Sequence, residues 1–386
     1  MKTLIELWDE RPIENVLAAE MFRPEKVIFV CPPEKAADRE WRATTEDYFR
    51  HRHVDVKVSF VPVSLLDAQK IRKALREILE EHPDAAIDIS GGTDATLFAA
   101  GAAAGETPVF TYSHKRNTFF EIQNAPFARS LPCTVRLDAA SCFLMAGGVL
   151  LPGREDNRLL RDRLPEIDRA FAVYSAYRTI WERQVKAIQR ISSSSDPELR
   201  AEGPREVKVD SGHVAMSGPF LHDLEKAGLI RGLRLTEEET AFSFADEVVR
   251  FWLRDIGAVL ELAVYKACLE AGCFDDVVLS AVVNWRSADG KRDTVTNEID
   301  VMAVRGVQPM FISCKTCEIR TEALNELAIL RDRFGGEDSR AMIVTSAGST
   351  RGASAMRKRA AALGIEVVDW GDLSAGRLAG MLREKP

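Results

Sequence analysis

The stretch Asn297–Lys315, NEIDVMAVRGVQPMFISCK, decides how the C-terminal part of this chain is read. Its halves, Glu298–Val304 and Met310–Cys314, are β-rich runs joined by a turn around Arg305–Pro309. Strand side chains alternate faces, so Glu298 and Asp300 share one face and Ser313 and Lys315 share one face of the next strand. The hairpin brings acids and an ammonium toward one sheet edge, although periodicity alone does not set them opposite each other. Phosphodiester hydrolysis needs such a set. Carboxylates and backbone carbonyls hold a hard divalent ion, the ion activates water and neutralises the phosphate, and an ammonium stabilises developing charge. The bland alternative is a solvated hairpin with ordinary surface charges.

Working outward, Asp246–Ala271 reads as one long amphipathic helix that delivers Glu261, followed by a strand at Val277–Trp285. Downstream come a helix Glu322–Phe334 closed by Gly335-Gly336, a strand Ala341–Thr345, a helix Arg357–Leu363 and a strand Glu366–Val368. Arg351, Arg357, Lys358 and Arg359 form the densest basic run, suited to a phosphate backbone or to a plain charged helix face.

At the other end, strand runs Leu4–Leu7, Lys26–Val30, Val54–Val63, Ala85–Ile89 and Pro108–Tyr112 alternate with helical stretches Ile13–Phe22, Glu34–His51, Leu66–Glu81 and Ala95–Ala104. That alternation predicts a Rossmann-like α/β domain with a parallel sheet. After its fourth strand lies Ser90-Gly91-Gly92-Thr93-Asp94, a glycine turn opening an alanine-rich helix. The turn suits a phosphate, and equally a simple helix cap. It is neither a GxGxxG fingerprint nor a P-loop, which disfavours a NAD enzyme or an ATPase. Between the two ends, Arg154–Arg190 reads as helical with Tyr174, Tyr177 and Trp181 on a stripe, more a packed face than a base-stacking platform. Ser192–Pro204 reads as a linker, and Gly218–Ile230 with Leu233–Phe244 as a helix followed by a hairpin.

The chain has 386 residues, 46% hydrophobic and 29% charged, with net charge −7, which fits a globular protein and excludes one that coats nucleic acid by bulk basicity. Seven scattered cysteines predict reduced thiols, and the lone Cys314/Cys317 pair lacks the partners a zinc site needs. Acidic residues near Met1 and the absence of a long apolar run predict a soluble, cytoplasmic protein without membrane contact.

Asp300…Ser313-Cys314-Lys315, with Glu261 upstream, resembles the PD-(D/E)xK restriction-endonuclease-like core. The wider run Asn297–Thr316 with Glu326–Gly336 (ELAILRDRFGG) resembles the nuclease half of CRISPR-associated effectors with an N-terminal CARF domain, the sensor of cyclic oligoadenylate. The resemblance implies a CARF sensor over 1–135, a helical or winged-helix-like connector over 136–245 and a nuclease domain over 246–386. It implies Mn2+ or Mg2+ held by Asp300, Glu298, Glu261 and the Cys314 carbonyl, with Lys315 assisting cleavage of RNA or DNA. Ser313 departs from the family, which places Glu there; loss of that anion leaves Glu298 to complete the shell and favours Mn2+.

In the sensor, the resemblance places Trp8, Asp9, Glu10 and Arg11 after the first strand beside the ligand, together with Ser90, Gly91, Gly92 and Thr93. Asp94 stands where the family has Lys, so Ser113, His114, Lys115 and Arg116 are left to supply positive charge. The implied activator is cyclic tetra-adenylate, held across the two-fold axis of a homodimer, with the small residues of Ala95–Ala104 allowing close helix approach. The departures at Ser313 and Asp94 keep two rivals open: a nucleotide-sensing dimeric module with an inactive nuclease-like domain, and an enzyme that cleaves the messenger itself.

Overall fold

The computed structural model describes residues 1–152, 157–210, 212–286, 292–335, 339–348 and 353–384. Gly336 and Arg351, invoked above, lie outside the described residues.

The N-terminal sheet contains parallel strands β1 (Thr3–Leu7), β2 (Lys26–Cys31), β3 (Lys57–Pro62), β4 (Ala85–Asp88) and β5 (Val109–Ser113), extended by antiparallel β6 (Thr118–Gln123) and β7 (Leu131–Pro132). Its order is β3-β2-β1-β4-β5-β6-β7. β1 is buried along its whole length, as expected of a parallel strand covered on both faces. The chain winds outward from β1 to β3 and then returns to place β4 against the other side of β1. This reversal opens a crevice at the carboxyl ends of β1 and β4, where doubly wound sheets bind ligands. The stretch expected as one helix, Glu34–His51, breaks at Asp38. The Asp38 carboxylate caps a second helix, Arg39–His51, accepting from the Glu40 and Trp41 amides at 3.0 and 3.1 Å.

The chain leaves this domain through helix Ala139–Met145 and strand β8 (Gly148–Leu150), the edge of the C-terminal sheet. Helices Leu164–Tyr177 and Trp181–Ile191 follow. Tyr174 and Trp181 are each 1% exposed and meet edge to face at 5.1 Å, so these two belong to the core and offer no stacking surface. The expected linker Ser192–Pro204 is in part a strand. β9 (Arg200–Pro204) pairs with β13 (Glu239–Phe244), beyond a hairpin of β10 (Glu206–Val209) and β11 (Gly212–Ala215) and the strand β12 (Ile230–Leu235). Its polar composition hides a strand that anchors itself through Ala201 while its neighbours face solvent.

The C-terminal sheet has the order β18-β17-β16-β15-β14-β8, with β14 (Asp276–Arg286), β15 (Arg292–Arg305), β16 (Gln308–Lys315), β17 (Arg340–Thr345) and β18 (Ile365–Val368). β14, β15 and β16 are antiparallel neighbours, whereas β16, β17 and β18 run parallel. The long helix expected over Asp246–Ala271 is two helices, Glu247–Arg254 and Ala258–Ala271. Asp255 Oδ1 accepts from the Gly257 and Ala258 amides at 2.8 and 3.2 Å, turning the chain and starting the second helix. One cluster of buried apolar side chains continues from Phe29 and Phe110 through Cys142 and Phe143 to Val283, Met302 and Ile343. Front domain and rear sheet therefore share a core.

Candidate active site and sensor crevice

The β15–β16 ladder runs from Arg305↔Gln308 to Val301↔Ile312. Past that point β15 continues against β14, and β16 continues against β17 with Ser313↔Ile343 and Lys315↔Thr345. Asp300 is the first residue on β15 beyond the ladder, at the fork of the two strands. There its carboxylate does what a main-chain acceptor does elsewhere in the sheet: Oδ2 accepts the Cys314 amide at 2.6 Å and the Ser313 hydroxyl at 3.2 Å. Lys315 Nζ lies 3.5 Å from the same oxygen. Across β14, Ser280 has φ +49°, an uncommon conformation for a side-chain-bearing residue, between the Leu279↔Val301 and Ala281↔Ile299 pairs. The backbone thus kinks opposite Asp300.

Glu261 enters from the first turn of helix Ala258–Ala271. Burial, then the charges of Asp300, Asp255 and Glu298, push its carboxyl up to about 8, with Lys315 pulling the other way. A Cβ on Gly257 would stand 2.6 Å from Glu261 Oε1, so the glycine leaves the room that this carboxylate occupies. Glu298 is exposed and joins the group through its field on Glu261. Burial, and after it the nearby Asp300 and Glu261 charges, raise the Cys314 thiol well above its usual range.

These residues supply the hard oxygens a divalent cation selects: carboxylates of Asp300 and Glu261, with Glu298 nearby and main-chain carbonyls of β16 within the same fork. The neighbouring negative charges, which add to burial in raising Glu261, are what a cation would offset. Among the described residues, no three His, Cys, Asp or Glu side chains are already gathered as an ion-holding set. Cys314 is buried and Cys317 exposed, which gives no support to a CxxC metal pair.

In the front domain, the loop after β1 and the turn after β4 meet in the crevice at the strand reversal. Asp9 Oδ2 accepts the Gly92 amide at 2.8 Å, while its Oδ1 accepts the Arg11 amide and Nε at 2.8 and 3.0 Å. Burial works to raise the Asp9 carboxyl, but these bonds from Arg11 and Gly92 hold it below its ordinary value. Gly92 adopts φ +105°, a conformation that favours glycine. Ser90, expected to present its hydroxyl to a ligand, spends it internally: Oγ donates to Asp88 at 2.5 Å and accepts the Tyr112 amide at 2.8 Å. Thr93 caps helix Asp94–Ala103, the plainer of its two readings. Asp94 and Glu10 are exposed, Ser113 ends β5, and Lys35 lies over the Trp8 ring at 5.9 Å.

Below the crevice, Glu6, Glu14 and Asp88 are each at most 2% exposed. Glu6 and Asp88 are register partners on β1 and β4. Burial, then Asp88 and Glu14, raise the Glu6 carboxyl well above its usual value; burial, opposed by the Ser90 bonds, pushes Asp88 up to about 7. Glu14 Oε1 takes His114 Nε2 at 2.6 Å and Arg11 Nη1 at 3.2 Å. Sequence reasoning named Arg11 and His114 but missed this acidic partner, because Glu14 reads as part of an ordinary amphipathic stretch. It likewise missed Asp255 and Gly257, whose roles depend on a helix break that periodicity does not show. In the basic run, Arg357 pairs with Asp369 and Arg359 donates to Asn325, consistent with a charged helix face.

A doubly wound front domain joined to a sheet with an acid–amine fork defines an α/β protein of CARF and restriction-endonuclease-like architecture. Residues 246–386 match the family model of the Card1-like endonuclease domain. Over the whole chain the fold is similar to protein VC1899 from Vibrio cholerae (TM-score 0.77, 18% identity, 99% of this chain and 97% of that one). It is also similar to Can2 from Sulfobacillus thermosulfidooxidans, solved in complex with cyclic tetra-adenylate (TM-score 0.69, 17% identity, the same coverage). No curated protein sequence matches the chain. The rear domain is thus of the Card1-like endonuclease type, and the chain as a whole shares its fold with VC1899 and Can2.

Proposed function

We propose that this chain is a metal-dependent endonuclease cutting RNA or DNA, switched on in the cytoplasm by a cyclic oligoadenylate, with cyclic tetra-adenylate the first candidate. The observation that carries the reading is the convergence of Asp300, Ser313 and Lys315 at the fork, with Glu261 crowded beside them. Asp300, Glu261 and the Cys314 carbonyl would hold Mn2+ or Mg2+, with Glu298 as the further acid. Such an ion supplies charge neutralisation at the phosphate and an activated water. Lys315 presents its ammonium to the charge that develops on the phosphate oxygens. Ser313 orients Asp300 through its hydroxyl bond and brings no negative charge of its own.

Like the ligand in the Can2 complex, the activator would be cyclic tetra-adenylate, and the crevice between β1 and β4 is where this chain would receive it. Its phosphates would replace Asp9 on the Gly92 amide and Glu14 on Arg11 and His114, and Trp8 would stack on an adenine. A homodimer fits two exposed apolar side chains, Phe98 on the alanine-rich helix at 74% and Leu66, just ahead of the neighbouring helix Ala68–Glu81, at 95% exposure. The route to the nuclease is short. Arg11, Ile13 and His114 border a narrow crevice against Val307 and Pro309 at the β15–β16 turn. For allostery, the ligand must bind the active arrangement more tightly than the resting one.

The rival is a sensing module with a silent rear domain, favoured by one observation: the position of the family acid holds a neutral hydroxyl. Labelled RNA and DNA incubated with Mn2+, Mg2+ or EDTA, with and without cyclic tetra-adenylate, separates the readings. Ligand- and metal-dependent cutting supports the proposal. A ligand-induced rise in melting temperature with no cutting favours the rival, and disappearance of the messenger itself would mark the front domain as the enzyme.

A further inference from the structure

The carboxyl ends of β16, β17 and β18 open into a cleft of about 680 Å3. Crevices at the carboxyl ends of parallel strands are the usual ligand positions of such sheets, and this one begins next to the proposed catalytic group. Thr345, the register partner of Lys315, forms part of its wall, and its Oγ1 donates to the Cys317 carbonyl at 3.0 Å. That bond holds the segment after Lys315 against the cleft.

The interior is apolar, formed by Ile319, Met356, Val367 and Trp370. Trp370 is fixed in place: the Arg178 guanidinium lies 5.0 Å from its ring centroid, and Phe171 and Tyr174 each pack at 6.0 Å. A wall already ordered loses little conformational freedom on binding. Among the described residues the charged rim is acidic on balance: Glu318, Glu322 and Asp369 stand against Arg320 and Arg357, and Arg357 is tied to Asp369 at 2.7 Å. A phosphate is therefore poorly served here. A flat, uncharged, hydrogen-bond-donating group is well served, since its faces meet apolar walls and its amino groups meet carboxylates.

We propose that this cleft is a nucleobase pocket, receiving one base of the substrate strand next to the bond cut at Asp300 and Lys315. It rests on the nuclease reading above and adds a specificity element to it. A base in a duplex must leave its stack to enter, so the pocket engages an unpaired or flipped nucleotide.

The test uses the full-length chain and a single strand whose cut bond has been mapped, with an abasic site placed in turn at each position flanking that bond. One position is expected to lower kcat/KM about 5- to 150-fold, the range of a lost base–aromatic contact. Ala355→Trp, at an exposed helix residue lining the cleft, is expected to cause the same loss on the intact strand and to erase the abasic effect, with an unchanged melting temperature. A binding readout stands apart from cleavage. With Asp300→Ala protein, 2-aminopurine at the sensitive position, or scanned through the strand when no bond is cut, is expected to be quenched, and Ala355→Trp to abolish the quench. Cutting that ignores every abasic position, with no quench, overturns the pocket and leaves the nuclease standing. Quench without cutting by the unsubstituted chain keeps the pocket and removes the nuclease. Absence of both overturns both.

Discussion

Lys315 Nζ stands 3.5 Å from Asp300 Oδ2, across a fork at which β15 and β16 have ceased to pair. The two residues are brought together by a hairpin, and their separation from the ladder leaves polar groups of both strands facing one space. If this is the hydrolytic centre, Asp300→Ala and Lys315→Ala should each reduce ligand-stimulated cleavage by at least about 100-fold, the cost of removing one preorganised charge. Both side chains are partly exposed, so the melting temperature should move by only a few degrees. Retention of more than a tenth of the activity in either variant would remove that residue from the mechanism.

Gly257→Ala offers a narrower probe. The glycine has φ −86°, which alanine adopts freely, so the backbone gives no reason for a defect. The added methyl would instead stand 2.6 Å from Glu261 Oε1 and force the carboxylate aside. Cleavage should fall about tenfold or more with metal titrating less tightly, and Glu261→Gln should show the same weakening. Wild-type metal affinity in Gly257→Ala would mean that Glu261 is no ligand.

The buried Asp88 predicts a pH dependence of stability in the front domain. Its folded pKa, about 7, lies above the unfolded value of about 4. The folded state therefore binds more protons between those limits, and stability falls as pH rises from about 4 to about 7. Asp88→Asn keeps an acceptor for the Ser90 amide and hydroxyl while removing the charge. It should be roughly 1–3 kcal/mol more stable than wild type at pH 8 and nearly equal at pH 4. Equal denaturation midpoints at pH 8 would show that Asp88 ionises without penalty.

Asp275 ties the two ends of the molecule together: Oδ1 accepts from Arg136 at 2.5 Å and Oδ2 from the Gly306 amide at 2.6 Å. Beside it, the Leu137 amide donates to the Gly306 carbonyl at 2.8 Å, so the segment leaving the front domain is bound to the β15–β16 turn. Asp275→Ala should leave cyclic tetra-adenylate binding within about twofold and reduce the activation it produces, by an amount in the range of 5- to 150-fold typical of coupling energies. Full activation in this variant would place the signal elsewhere.

Much of the chemistry was written in local sequence. The strands LIEL and VIFV, too apolar to face water, required a covered parallel sheet, and the period of two placed Asp300 and Lys315 on neighbouring strands of a hairpin. Gly91-Gly92 marked a turn, and the structure gives Gly92 the positive φ that glycine permits. What sequence could not fix was every feature that depends on a partner distant in the chain. The Asp246–Ala271 helix looked continuous because periodicity records apolar faces, and Asp255 breaks it through hydrogen bonds to the next turn. The strand Arg200–Pro204 looked like a linker because it has one buried anchor, Ala201, whose covering elements lie elsewhere. Ser90, Asp9 and Glu14 had their bonds assigned only when β1, β4 and the loop after β5 met at the strand reversal. Local propensity and alternation act over a few residues and so determined the elements; the fork, the buried acids and the apolar cleft depend on which elements pack together, and that only the tertiary structure decided.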